Sequence, residues 1–193
     1  MRIAINASFW GRRTTGTGQY LHHLVSEMHT LAPGLELELL APTKLVTDNA
    51  GPVTLLNTPV DGLGENVAKL WFEQVTFPFR CADLNCDLAH VPYMAPPLMS
   101  SVPVVVTVHD LIPLIFPPYS GSLRVRAYTR LVATAARQAE VVITDSQTSA
   151  QDIARLLGIT GERLRVIPLA AEPSYRPISA HEAQPVLARH GLD

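Results

Sequence analysis

Short runs rich in Val, Ile and Leu alternate along this chain with segments of helix length, and that alternation restricts the fold more than any single motif does. The runs are Arg2–Asn6, Leu35–Ala41, Val53–Asn57, Asp87–His90, Val102–Val108, Glu140–Thr144 and Arg163–Ile167. Val104, Val105 and Val106 show no two-residue alternation, which predicts a strand covered on both faces, as parallel strands in α/β sheets are. The order predicts an α/β fold, a Rossmann-like, doubly wound parallel sheet of about seven strands with helices on both faces.

The intervening segments carry helix signals. Helices are predicted from Thr17 to about Leu31 and from Glu65 to about Phe77, where Pro78 should stop the second. From Ser120 to Ala139, Leu123, Ala127, Tyr128, Leu131, Val132 and Ala135 recur every three or four residues, leaving Arg126, Arg130 and Arg137 as a stripe elsewhere. That stripe reads as a solvated face or as a contact for phosphate groups. From Gln147 to Leu157, Ser146 is placed as N-cap and Gly158 as left-handed C-terminal cap, with Ile153, Leu156 and Leu157 inward. After Pro168 the texture changes, and Glu172–Pro177 is not expected to be a regular element.

Composition excludes several classes. Fifteen Lys and Arg against 17 Asp and Glu give a net charge of −2, so no global positive field gathers nucleic acid. No apolar run approaches the roughly 20 residues of a membrane span, and Met1–Asn6 lacks the apolar core of a secretory signal. A cytoplasmic protein is expected, with contact at the inner face of the membrane limited to peripheral association. Cys81 and Cys86 match no common zinc spacing and are read as reduced, structural thiols.

In a doubly wound sheet ligands bind beyond the carboxyl ends of the strands. That rule directs attention to Ala7–Gly18, His90–Pro97, His109–Pro118 and Asp145–Ser149. Gly16-Thr17-Gly18 follows the first run and opens a helix, so its N–H groups could face an anion; the alternative is a tight strand-to-helix turn. The third glycine of a dinucleotide fingerprint is absent, since position 21 is Leu, and Gly11-x4-Gly16 is followed by Thr17 where a P-loop needs Lys. His109-Asp110 follows the most buried-looking run. An imidazole there could bond a sugar hydroxyl or move a proton, or be satisfied by a neighbouring carbonyl. His90 ends the preceding run, but no third ligand supports a metal site. Trp71, Phe72 and Phe77 read as core, with a partner contact as the alternative.

The order of these segments resembles family 4 (group 1) glycosyltransferases of the GT-B fold. Gly16-Thr17-Gly18-Gln19-Tyr20-Leu21 is similar to their G-x-G-x-Y-x loop, Leu70-Trp71-Phe72-Glu73-Gln74 to their LW-EQ helix, and Asp87–Pro92 to their D-x-x-H-x-P strand end. Val106–Pro113 resembles T-x-H-D-L-x-P, Val142–Ser149 resembles VIT-S-x-x-S, and Arg163–Leu169 resembles R-I-x-V-I-P. The resemblance implies a retaining transferase moving a sugar from a nucleotide-sugar donor to a glycan, lipid-linked or small-molecule acceptor, with no metal cofactor. It implies that this chain is the N-terminal half: residues 1–171 the acceptor-side domain, and 172–193 a linker leading to an absent donor-binding domain with a Glu-x7-Glu motif. His109 would contact the transferred sugar through its ring or its carbonyl, Gly16, Thr17, Gly18 and Asp110 would face donor and acceptor, and Ser146 and Ser149 would line the cleft mouth. Alone, the chain is expected to be inactive and to self-associate. A non-catalytic nucleotide-metabolite-binding module, or an assembly module using the surface around Trp71, is the alternative.

Overall fold

The computed structural model describes residues 1–46, 50–116, 121–172 and 175–192. Seven strands, β1 (Arg2–Asn6), β2 (Glu36–Pro42), β3 (Thr54–Leu56), β4 (Leu88–Val91), β5 (Val104–Thr107), β6 (Val141–Thr144) and β7 (Leu164–Val166), form one sheet in the order β3-β2-β1-β4-β5-β6-β7. Every pairing is parallel, so all strands deliver their carboxyl ends to one edge. The order reverses between β1 and β4, which is where a crevice opens in such sheets.

Register decides which side chains meet. His90 pairs with Val105, and Thr107 with Ile143, so His90 and Thr107 share one face of the sheet. The core is split accordingly. One cluster packs Ile3, Ile5 and Leu39 with Leu21 and Val25 of helix α1 (Gly16–Leu31). The larger one packs Ala4, Val91, Val106 and Val142 with Phe72, Phe77, Val132 and Ile153 on the other face.

Local chemistry sets the helix ends. α1 is capped by Thr15, which accepts from the Gly18 N–H. Helix α6 (Gln147–Leu157) begins at Ser146 and ends at Gly158, whose φ of 69° only glycine adopts without strain. Helix α5 (Leu123–Ala136) starts after the Ser122 cap; Ser120, expected to open it, lies outside the described residues. Leu123, expected on its inner stripe, is the first residue of the helix and is 82% exposed.

Pro78 does not stop the second helix. Helix α2 (Glu65–Trp71) widens into a π turn, Phe72–Thr76, and continues as helix α3 (Phe77–Asp83). The wider turn makes Pro78 a first-turn residue of α3, where its missing N–H costs no bond. Trp71 also departs from the core reading: it is 37% exposed, whereas Phe72 and Phe77 are fully buried. Short helix α4 (Ile112–Ile115) follows β5. Helix α7 (Ala180–Arg189) was not anticipated, although Ser179 and Glu182 form a capping box readable from their spacing.

Arg137 leaves the expected arginine stripe. Its guanidinium donates to the carbonyls of Leu156 and Leu157, the unpaired acceptors at the end of α6. Arg126 and Arg130 remain exposed. Cys81 and Cys86 are free and buried, and burial pushes the Cys81 thiol up to about 12, so it stays protonated and inert.

Candidate functional site

The segments after β1, β4, β5 and β6 converge at the carboxyl edge of the sheet. His109 leaves β5 two residues after Thr107 and meets Asp145, which stands one residue after β6. The His109 Nδ1 lies 3.1 Å from the Asp145 Oδ2. A carboxylate can only accept, so the hydrogen between them sits on Nδ1. The sequence pointed to His109 and passed over Asp145 as a partner, because residues 36 positions apart carry no local signal of their contact.

The rest of His109 is equally engaged. Its carbonyl oxygen accepts from the Ser149 Oγ at 2.8 Å, and Ser149 receives a bond from the Ser146 Oγ at 3.0 Å. Ser146 also accepts from the Ser149 N–H. Both serines are therefore joined to His109 through the first turn of α6. The imidazole meets the Tyr20 ring edge to face, with centroids 4.9 Å apart. Its Nε2 is closed off from solvent and has no hydrogen-bond partner among the described residues.

Tyr20 is held in turn. Its hydroxyl lies 3.2 Å from the Thr107 Oγ1, which is 3.0 Å from the His90 Nε2. Complete burial lowers the His90 pKa to about 4, so this ring is neutral and its Nε2 shares one hydrogen with the Thr107 hydroxyl. Burial, the largest influence, raises the Tyr20 pKa, keeping its hydroxyl protonated. Tyr20, Thr107 and His90 are joined in one chain of hydrogen bonds. His90 is thus a supporting residue of the site. Among the described residues no three His, Cys, Asp or Glu side chains gather as a metal-binding group.

The glycines of the α1 entry differ. A Cβ on Gly18 would stand 2.0 Å from the Arg12 carbonyl oxygen, so the close approach this glycine permits is to its own chain. Gly16 has nothing within 4 Å of a Cβ and is exposed, and Thr17 is half-buried beside it. Asp110 is exposed and accepts from the Ile112 N–H at 2.9 Å, closing the turn into α4. Pro117 and Pro118, farther along this loop, lie outside the described residues.

A second polar cluster supports the edge from the opposite face. Glu73, in the π turn, is fully buried and accepts from Lys69 Nζ, from the Tyr93 hydroxyl at 2.9 Å and from the Tyr128 hydroxyl at 2.9 Å. It joins α2, the segment after β4, and α5 through one carboxylate. Burial, and after it the Glu73 charge, raises the Tyr128 and Tyr93 pKa values, so both phenols remain donors. Nearby at the end of β1, the Ser8 hydroxyl donates to Asn6 Oδ1 at 2.6 Å. These residues lacked a sequence signal beyond the position of Glu73 in the LW-EQ segment, because their pairing depends on helix packing.

No described helix is long and apolar enough to cross a membrane. The family model described as Glycosyltransferase Family 4 matches residues 14–175, which include Tyr20, Glu73, His90, Thr107, His109, Asp145, Ser146 and Ser149. The structure is similar to that of HepE from Anabaena in complex with UDP, with a TM-score of 0.58 and 17% identity, covering 98% of this chain and 49% of HepE. The chain therefore spans about half the length of that neighbour. Sucrose-phosphate synthase from Thermosynechococcus elongatus aligns with a TM-score of 0.49 and 17% identity, over 89% of this chain and 91% of the other. No curated protein matches the chain.

Proposed function

The chain belongs to glycosyltransferase family 4, and on that premise we propose that it forms the acceptor-side wall of a cleft in which a sugar moves from a nucleotide-linked donor to an acceptor hydroxyl with retention of configuration. The observation that carries this reading is the convergence of the α1 entry, His109, Asp145 and Ser149 on one edge of a parallel sheet. A nucleotide-linked donor is supported by family membership, and by UDP in HepE, which has the same fold. Residues 172–193 would lead toward a donor-binding domain with most of the diphosphate contacts.

In the proposed reaction the bond from the anomeric carbon to the diphosphate oxygen breaks, a bond to the acceptor oxygen forms, and the acceptor proton leaves on the departing phosphate. This chain's share is to position groups and exclude water. The α1 N-terminus offers N–H groups beside the exposed Gly16, and the α6 N-terminus holds the His109 turn through Ser149. Asp110 and Thr17 stand at the rim, open to a polar ligand.

The reading is tested in a polypeptide carrying this chain together with a donor-binding domain, assayed for release of nucleoside diphosphate from a panel of nucleotide sugars. The chain alone should give no steady turnover, because one wall cannot place both reactants. In the longer polypeptide His109→Ala should lower turnover roughly a hundredfold to a thousandfold, about 2.7–4 kcal/mol, as removal of one preorganised group does. Nucleotide binding without transfer in the intact longer polypeptide would instead establish a non-catalytic binding module.

A further inference from the structure

His109 is held from three sides, and each contact leaves a different atom of it committed. Ser149 fixes the backbone through the carbonyl, Tyr20 lies edge to face against the ring, and Asp145 accepts at Nδ1. The His109 and Asp145 side chains are 24% and 20% exposed, so their bond is partly shielded from competing water. The remaining ring atom able to bond is Nε2, which is enclosed and without a partner among the described residues. A neutral imidazole carries one hydrogen, and the carboxylate draws it to Nδ1. Nε2 is then left with a lone pair.

We propose that Asp145 is a positioning residue that fixes the His109 tautomer, so that Nε2 is presented as the acceptor for a hydroxyl group of the bound sugar or acceptor. The proposal rests on the glycosyltransferase reading for its ligand class and on the geometry alone for its tautomer. An enclosed acceptor without a donor is costly in a folded protein, so an incoming hydroxyl at that atom supplies a bond that no described residue gives it. Tyr20 packs its ring against the same imidazole. Its 3.2 Å contact to Thr107 is long for a hydroxyl pair, which makes it the bond that yields when a hydroxyl enters. Ser149 keeps the backbone in place while the ring is approached.

Asparagine at position 145 removes the charge that holds the hydrogen on Nδ1 and brings a donor of its own. Its amide can donate to Nδ1, which then carries the lone pair while the hydrogen moves to Nε2, converting an acceptor into a donor. In a triad of different architecture the same Asp-to-Asn change leaves the geometry in place and removes activity through the wrong tautomer.

The decisive measurement is the nitrogen-15 spectrum of the histidine rings in the 193-residue chain, above the histidine titration range, with His109 identified by the signals lost in His109→Gln. Nδ1 should appear as the hydrogen-bearing nitrogen and Nε2 as the bare one in the unmodified chain. In Asp145→Asn the two should exchange character. A bare Nδ1 in the unmodified chain overturns the proposal without any variant at Asp145, as does an unchanged pattern in folded Asp145→Asn. In the longer polypeptide Asp145→Asn should lower kcat about a hundredfold with little change in KM. Retained kcat despite exchanged nitrogens would overturn the assigned role. If the unmodified longer polypeptide fails to transfer sugar while the nitrogen pattern is as expected, the glycosyltransferase reading fails and the tautomer assignment stands.

Discussion

Ser149 donates from its Oγ to the carbonyl oxygen of His109 across 2.8 Å, tying the first turn of α6 to the segment leaving β5. Ser146 caps the same helix and donates to Ser149, so the cap and the site share one hydroxyl chain. Ser146→Ala should cost about 1 kcal/mol for the lost cap, and Ser149→Ala a similar amount for the lost bond. Because the two hydroxyls touch, the double variant should lose less than the sum of the singles. Urea unfolding of the three variants measures the coupling, and strict additivity would mean that the two bonds act independently.

The α1 glycines should respond in opposite ways to one methyl group. Gly18→Ala pushes a Cβ into the Arg12 carbonyl, contact that only a backbone shift relieves, and should destabilise by about 3 kcal/mol or more. Gly16→Ala meets open space at the start of a helix and should be neutral or stabilising by up to about 1 kcal/mol. Thermal melts of both variants separate them. Equal losses would show that the tight approach at Gly18 is not the constraint.

Lys69 and Glu73 should differ in how badly each is missed. Glu73 has no exposure, while the Lys69 side chain keeps 22%. Lys69→Met strands a buried carboxylate with two phenol donors and should cost about 3–5 kcal/mol. Glu73→Gln leaves a cation that can reach water and a side chain that still accepts a hydrogen bond, at about 1–3 kcal/mol. Equilibrium unfolding at neutral pH ranks the two, and the reverse order would place the burial cost on the lysine.

His90 gives a dependence on acid with a defined sign. Its folded pKa, about 4, lies below the roughly 6.5 of an unfolded histidine, so the unfolded chain takes up the proton first. Stability from this residue is full above about pH 6.5 and is lost as pH falls toward 4, on the order of 3 kcal/mol across that range. His22, also lowered by burial, adds in the same direction. His90→Gln, which retains a hydrogen-bond partner for Thr107, should flatten the fall in melting temperature between pH 7 and pH 4.5. An unchanged slope would assign the acid sensitivity to other groups.

The elements of the sheet were legible in the sequence because buried parallel strands are written as unbroken Val, Ile and Leu runs, and Val104-Val105-Val106 is the plainest of them. Ser146 and Gly158 marked both ends of α6, since caps are local chemistry between residues a few positions apart. His109, Gly16 and Ser149 could be singled out because they follow strands at the edge where such sheets bind ligands. The tertiary structure alone decided what those residues touch. Asp145 reaches His109, Thr107 joins Tyr20 to His90, and Glu73 gathers Lys69, Tyr93 and Tyr128 only because separate strands and helices lie side by side. The π turn that carried the helix past Pro78 belongs to the same class, as its wider bonding places Phe72, Glu73 and Phe77 in the interior together. Periodicity and caps act over one or two turns of chain, whereas the partners of a buried polar group are set by packing across the sheet.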